Sequence, residues 1–214
     1  MARGGGHVAL LGDSSIDNGR YTRGEPDVTG HLRALLPGGW RATLLARDGS
    51  TTLDFAPQVA RIPADASHLV VSLGGNDLLL INDLLARAVP STAAALELFA
   101  DGCQRFEKSY RAAVEPLLCL GRELTLCTVY EGAFPEPQAG ATRTALRIFN
   151  DAILRFAFQA GLGAIEMRAV CTERSDFANP IEPSGPGGRK IARAVTQAVG
   201  ALPSPRTSRV FVLR

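Results

Sequence analysis

Histidine is scarce in this chain of 214 residues. There are three, His7, His31 and His68, and none follows position 68. Lysine is scarcer still: of 23 cations only Lys108 and Lys190 are lysine, which reads as a compositional bias toward arginine. The four cysteines, Cys103, Cys119, Cys127 and Cys171, form no C-x-x-C pair. No two cysteines or histidines have the spacing of a zinc site, so no metal centre is expected. The cysteines fall in apolar or helical stretches and are expected to be buried free thiols. No apolar run approaches the roughly 18 residues that a membrane helix needs. There is also no basic block. The 23 cations face 21 anions for a net charge of +2, so nucleic acid is not an implied partner. The N-terminal apolar stretch, Val8–Leu11, is shorter than the roughly 7 residues of a secretory h-region. A cytoplasmic protein with no membrane partner is the expectation.

What is present is a well-patterned globular chain. Hydrophobic residues make up 46% of it, enough for one domain over 1–214 with its own core. Short apolar runs alternate with longer amphipathic ones. Strands are predicted at His7–Leu11, Arg41–Ala46, His68–Leu73, Glu123–Val129 and Ala164–Val170. Helices are predicted at Pro26–Leu36, Asp54–Ile62, Ser91 to about Leu120 with a break near Gly102 or Pro116, Ala141–Ala160, and Gly187–Gly200. The tail Pro203–Arg214 ends in Val210-Phe211-Val212-Leu213 and suits an edge strand or a partner chain.

Strands separated by helices imply crossover connections. The fold class is therefore α/β: a three-layer α/β/α sandwich around a five-stranded parallel sheet. Ligands of such sheets bind beyond the carboxyl ends of the strands. Three polar clusters fall there: Gly12-Asp13-Ser14-Ser15 after the first strand, Asp48-Gly49-Ser50 after the second, and Gly74-Gly75-Asn76-Asp77 after the third. Each alone has an ordinary explanation. Ser14 suits a helix cap, Gly49 a turn, and the glycines before Asn76 a flexible loop. Together they have the parts of acyl transfer, a nucleophile with donors aimed at a developing oxyanion.

This set resembles the first three motif blocks of the SGNH (GDSL) hydrolase superfamily, in order, spacing and strand context. The resemblance implies a flavodoxin-like fold and an esterase, lipase or deacylase acting on a small acyl ester or acetylated substrate without a cofactor. It implies Ser14 as nucleophile and Ser14, Gly49 and Asn76 as oxyanion donors, with Asp13 and Asp77 in support.

The family's fourth block, Asp-x-x-His-Pro before the last helix, lacks its histidine here. One alignment keeps Asp176 and Pro180 and puts Asn179 at the histidine position. The other, favoured because it needs no insertion before Ile191-Ala192, puts Glu182 at the histidine position and Asn179 at that of the aspartate. Glu182 is then the candidate base, Asn179 a donor to its carboxylate, and Asp176 the reserve base. The competing role for Glu182 is capping the last helix. His7 and His68 start their strands, roughly 15–25 Å from the rim, and His31 lies inside the first long helix. None is a candidate base. The alternative function is a catalytically inactive binding module that keeps the cleft. A nucleotide- or flavin-binding protein is disfavoured, because no G-x-G-x-x-G follows the first strand.

Overall fold

The computed structural model describes residues 5–80, 82–202 and 210. The Pro203–Arg214 tail, apart from Val210, lies outside the described residues. Five strands form one sheet: β1 (His7–Gly12), β2 (Arg41–Leu44), β3 (His68–Ser72), β4 (Glu123–Cys127) and β5 (Gly163–Ile165). Their order is β2-β1-β3-β4-β5, and every neighbouring pair is parallel. The chain turns outward from β1 to β2 and then crosses back to β3. The switch point therefore lies between β1 and β3, where Gly12 is level with Ser72. A crevice opens at that position in doubly wound sheets.

Alternation along the strands builds two cores. Ala9, Leu11, Leu69, Val71, Leu124 and Leu126 face one side. There they meet α4 (Thr92–Leu118) and α5 (Gln138–Ala160) through Phe106, Tyr110, Phe149 and Phe156. Val8, Leu10 and Val70 face the other side. They pack on α1 (Val28–Leu35) and α6 (Gly185–Ala198) through Leu32, Ile191 and Val195. Two-residue periodicity in strands buried on both faces produces this three-layer arrangement.

Three helix starts follow side-chain caps. Asp27 Oδ1 accepts from Gly30 N at 2.6 Å and starts α1 at Val28, two residues after the predicted Pro26. Ser91 Oγ accepts from Ala94 N at 3.1 Å, the expected cap of α4. Ser184 caps α6, so that helix begins at Gly185 and Glu182 is free of the capping role.

Several boundaries differ from expectation. α4 is unbroken: Gly102 is buried within it, and Pro116 sits in its last turn, two residues before the helix ends at Leu118. The predicted helix over Asp54–Ile62 is a 3-10 turn at Thr52–Asp54 followed by the short α2 (Ala56–Val59). α5 starts at Gln138, ahead of the predicted Ala141. β5 stops at Ile165 because Glu166 caps a 3-10 turn over Met167–Ala169, its side chain accepting from Arg168 N. Gly75–Leu80 forms α3, where the glycines suggested only a loop. The cysteines are free thiols, but only Cys127 and Cys171 are buried; Cys103 is half-buried and Cys119, at the end of α4, is exposed. No helix among the described residues is long and apolar enough to cross a membrane.

Candidate active site

The nucleophile turn starts at Gly12, whose φ of +133° is open only to glycine. A Cβ there would lie 1.7 Å from the Ser72 carbonyl oxygen. The chain then turns sharply, with Asp13 N donating to Ser72 O at 3.0 Å and Ile16 N to Asp13 O at 3.1 Å. This sets Ser14 at the carboxyl edge of β1, on the wall of the crevice.

A second set of contacts ties the three rim loops together. Gln58 of α2 accepts from Gly12 N and donates to Gly12 O, both at 2.8 Å, and it also donates to Ser50 Oγ at 3.1 Å. Asn76 Nδ2 donates to Ser50 O at 2.9 Å. Asp77 accepts from Thr52 Oγ1 at 2.6 Å and from Thr52 N. The β1, β2 and β3 loops are thus cross-braced by amide and carboxylate side chains. One N–H of Asn76 is engaged by Ser50, and the same amide nitrogen carries a second N–H.

The cleft beside Ser14 encloses about 110 Å3. Ser14, Asn76 and Glu182 all line it. Gly49 lines a separate groove, with Asp48 and Ser50. Its φ is +82°, and it is linked to the Ser14 cleft through the Asn76–Ser50 bond. The structure therefore brings together Ser14, Asn76 and Glu182, with Gly49 one step away.

Glu182 is buried and lines the cleft together with Ser14. Burial pushes the Glu182 carboxyl above the usual range, the contact with Ser14 opposes this, and the charges of Asp48 and Asp13 add to it. Oε2 of Glu182 is buried without a hydrogen-bond partner among the described residues. The same neighbourhood raises Tyr21 to about 12, first through burial and then through the nearby charge of Glu182. Tyr21 donates to Asp48 at 3.1 Å, so Asp48 is fixed beside the cleft.

The loop that carries Glu182 is held from several sides. Tyr130 Oη donates to Ile181 O at 2.7 Å. Asn18 Nδ2 donates to Pro183 O at 3.1 Å while its Oδ1 accepts from Val28 N. Ala178 N donates to Glu182 O at 2.8 Å. Asn179 acts differently from the expectation. Its side-chain oxygen accepts from Ile181 N and Glu182 N, at 3.0 and 2.9 Å, so it shapes the turn beneath Glu182 instead of donating to the carboxylate. This is the usual preference of Asn for bonding its own backbone in turns.

Asp176 is fully buried away from Ser14, with Oδ2 accepting from Thr172 N and Glu173 N at 3.0 Å and Lys190 Nζ 2.8 Å away. Its carboxylate is committed to structure. His7 is fixed at the opposite end of the sheet between Asp65 and Thr43, and His68 stacks on Trp40. No histidine lines the Ser14 cleft.

Asp13 points inward, where its carboxylate accepts from Ser15 Oγ at 2.7 Å and Ser15 N at 3.0 Å. Ser15 Oγ is 2.6 Å from Ser72 Oγ. Burial raises Asp13 to about 6 despite the opposing bonds from Ser15 and Gly75. Gln58 and Asn18 were not legible as site residues. They are common residue types in unremarkable stretches, and only the tertiary fold brings them to the rim.

The arrangement can be compared with known proteins. A model of the GDSL-like lipase/acylhydrolase family matches residues 10–187. No curated protein matches the chain. Among solved structures, a lipase from a goat rumen metagenome superposes with a TM-score of 0.70 at 16% identity, over 90% of this chain and 97% of that one. Phospholipase A1 from Streptomyces albidoflavus gives 0.67 at 14% identity, over 92% and 100%. The acetylxylan esterase Axe2 from Geobacillus stearothermophilus gives 0.64 at 20% identity, over 94% and 97%. At these identities the likeness is one of fold.

Proposed function

Because this chain belongs to the GDSL-like lipase/acylhydrolase family, we propose that it is a serine esterase in which Glu182 serves as the base for Ser14. The observation that carries this reading is a buried Glu182 carboxylate lining the same cleft as Ser14. A solvated glutamate is a weak base for a serine, and burial moves its pKa toward neutral pH, where proton transfer is more favourable.

In the proposed cycle Ser14 Oγ attacks the ester carbonyl carbon while its proton passes to Glu182. The carbonyl oxygen becomes an oxyanion and meets the N–H of Ser14, the second amide N–H of Asn76 and the N–H of Gly49. Collapse of the tetrahedral intermediate breaks the ester C–O bond. Glu182 returns the proton to the leaving alkoxide, giving the alcohol and an acyl-serine. A water then attacks the acyl-serine, with Glu182 taking its proton and passing it to Ser14 Oγ as the acid departs. Asp13 and Asp77 act by bracing the rim loops rather than by touching substrate.

The test is hydrolysis of p-nitrophenyl acetate with labelling by a fluorophosphonate probe. Wild-type protein is expected to turn over the ester and to be labelled at Ser14, and Ser14→Ala to lose both. Unchanged turnover in Ser14→Ala removes the proposal. Binding of esters without turnover or labelling favours an inert binding module.

A further inference from the structure

The Ser14 cleft does not end at the reacting groups. Its far side is apolar and is formed by α3 and α5, with Leu78, Leu79 and Leu146 on the wall. A second recess of about 60 Å3 adjoins it. Leu78, Asn82, Thr142 and Leu146 line both cavities, so the two are consecutive parts of one groove. The outer recess is floored by Phe99 and Phe149 and flanked by Ala145. Leu79 and Leu85, at 41% and 38% exposure, carry the apolar lining to the surface. An apolar groove continuous with a polar reacting centre fits a ligand with a reactive head and a hydrocarbon tail.

The direction of the groove assigns the tail to one side of the ester. Glu182 must reach the leaving oxygen, so the alcohol portion lies on the side of Glu182. The outer recess touches neither Ser14 nor Glu182 and leads away from them between α3, α4 and α5. The acyl portion is the part that faces this way.

We propose that the enzyme is specific for esters of unbranched medium-chain fatty acids, with the acyl tail seated in the groove between α3 and α5. This rests on Ser14 and Glu182 being the reacting pair. A short acetyl group leaves the outer recess unfilled, whereas about six further methylenes displace water from its leucine and phenylalanine walls. Each buried methylene strengthens binding by about fourfold.

The test is a chain-length series of p-nitrophenyl esters from acetate to dodecanoate, each below its micellar concentration. kcat/KM is expected to rise by about 10³-fold from acetate to octanoate and then to level off. A fall from acetate onward overturns the proposal and leaves the esterase reading intact. Ala145→Trp, on the partly exposed face of α5, plugs the outer recess and is expected to cut the octanoate-to-acetate ratio by about tenfold. An unchanged ratio in folded Ala145→Trp also overturns it. Ser14→Ala is expected to lose turnover at every chain length. Turnover that persists in that variant overturns the esterase reading and this inference together.

Discussion

The side-chain oxygen of Asn179 accepts the backbone N–H of Glu182 at 2.9 Å. With the neighbouring bond from Ile181 N, it fixes the turn from which the Glu182 carboxylate projects. Asn179 therefore orients the candidate base through the main chain, without touching the carboxylate.

Asn179→Ala is accordingly expected to lower kcat by about tenfold, with little change in KM, and to cost about 1–2 kcal/mol of stability from two lost hydrogen bonds. Asn179→Asp keeps an acceptor at the same place and should recover most of the stability. Steady-state kinetics beside urea denaturation checks both variants. A kcat unaffected by Asn179→Ala contradicts the positioning role.

Tyr130 braces the same turn from the other side through Ile181 O. Removing only the hydroxyl, in Tyr130→Phe, is expected to cost about 1 kcal/mol and to lower kcat several-fold. Thermal unfolding and initial rates measure the two effects separately.

Asp176 gives the opposite result. Its carboxylate holds two backbone N–H groups and Lys190 in a buried site. Asp176→Ala is expected to cost about 3 kcal/mol, since charge-assisted bonds are lost and buried donors are left without partners. Activity per folded molecule should remain within a few-fold of wild type. A selective loss of kcat in fully folded Asp176→Ala would restore it as a candidate base.

Asp13 makes stability fall with rising pH. Its folded-state pKa, about 6, lies above the unfolded value of 3.8. Between these values the folded state binds the extra proton, so the contribution of Asp13 is most favourable below 3.8. It is lost as pH rises through about 6, at a cost of about 3 kcal/mol above that. Asp13→Asn removes the titration. The stability difference between pH 4.5 and pH 7.5, measured by chemical denaturation, should shift in favour of pH 7.5 in the variant. An identical pH dependence in both proteins contradicts the assignment.

Much of this site was legible because the sheet's chemistry is local. Ser14 and Asn76 each directly follow an apolar strand, and parallel topology places such positions on one rim. Glu182 was read as the candidate base by its distance from the start of the last helix. The helical state of Asn76 was hidden, since two glycines precede it and nothing in their composition shows that Leu78 N bonds back to Gly74 O. The roles of Gln58 and Asn18 were hidden for another reason. Gln58 bonds a residue 46 positions away and Asn18 one 165 positions away, and no local pattern records such partners.

The central claim is that Glu182 takes the proton of Ser14. The most direct measurement is kcat/KM for p-nitrophenyl ester hydrolysis, against pH, in wild type and Glu182→Gln. In wild type the raised Glu182 pKa means that activity is lost as pH falls through a value above the ordinary glutamate range, because the protonated carboxyl cannot act as base. Glu182→Gln should be folded, lack that limb, and run about 10²–10⁴-fold slower at neutral pH. A Glu182→Gln enzyme with the wild-type rate and acid limb would contradict the account.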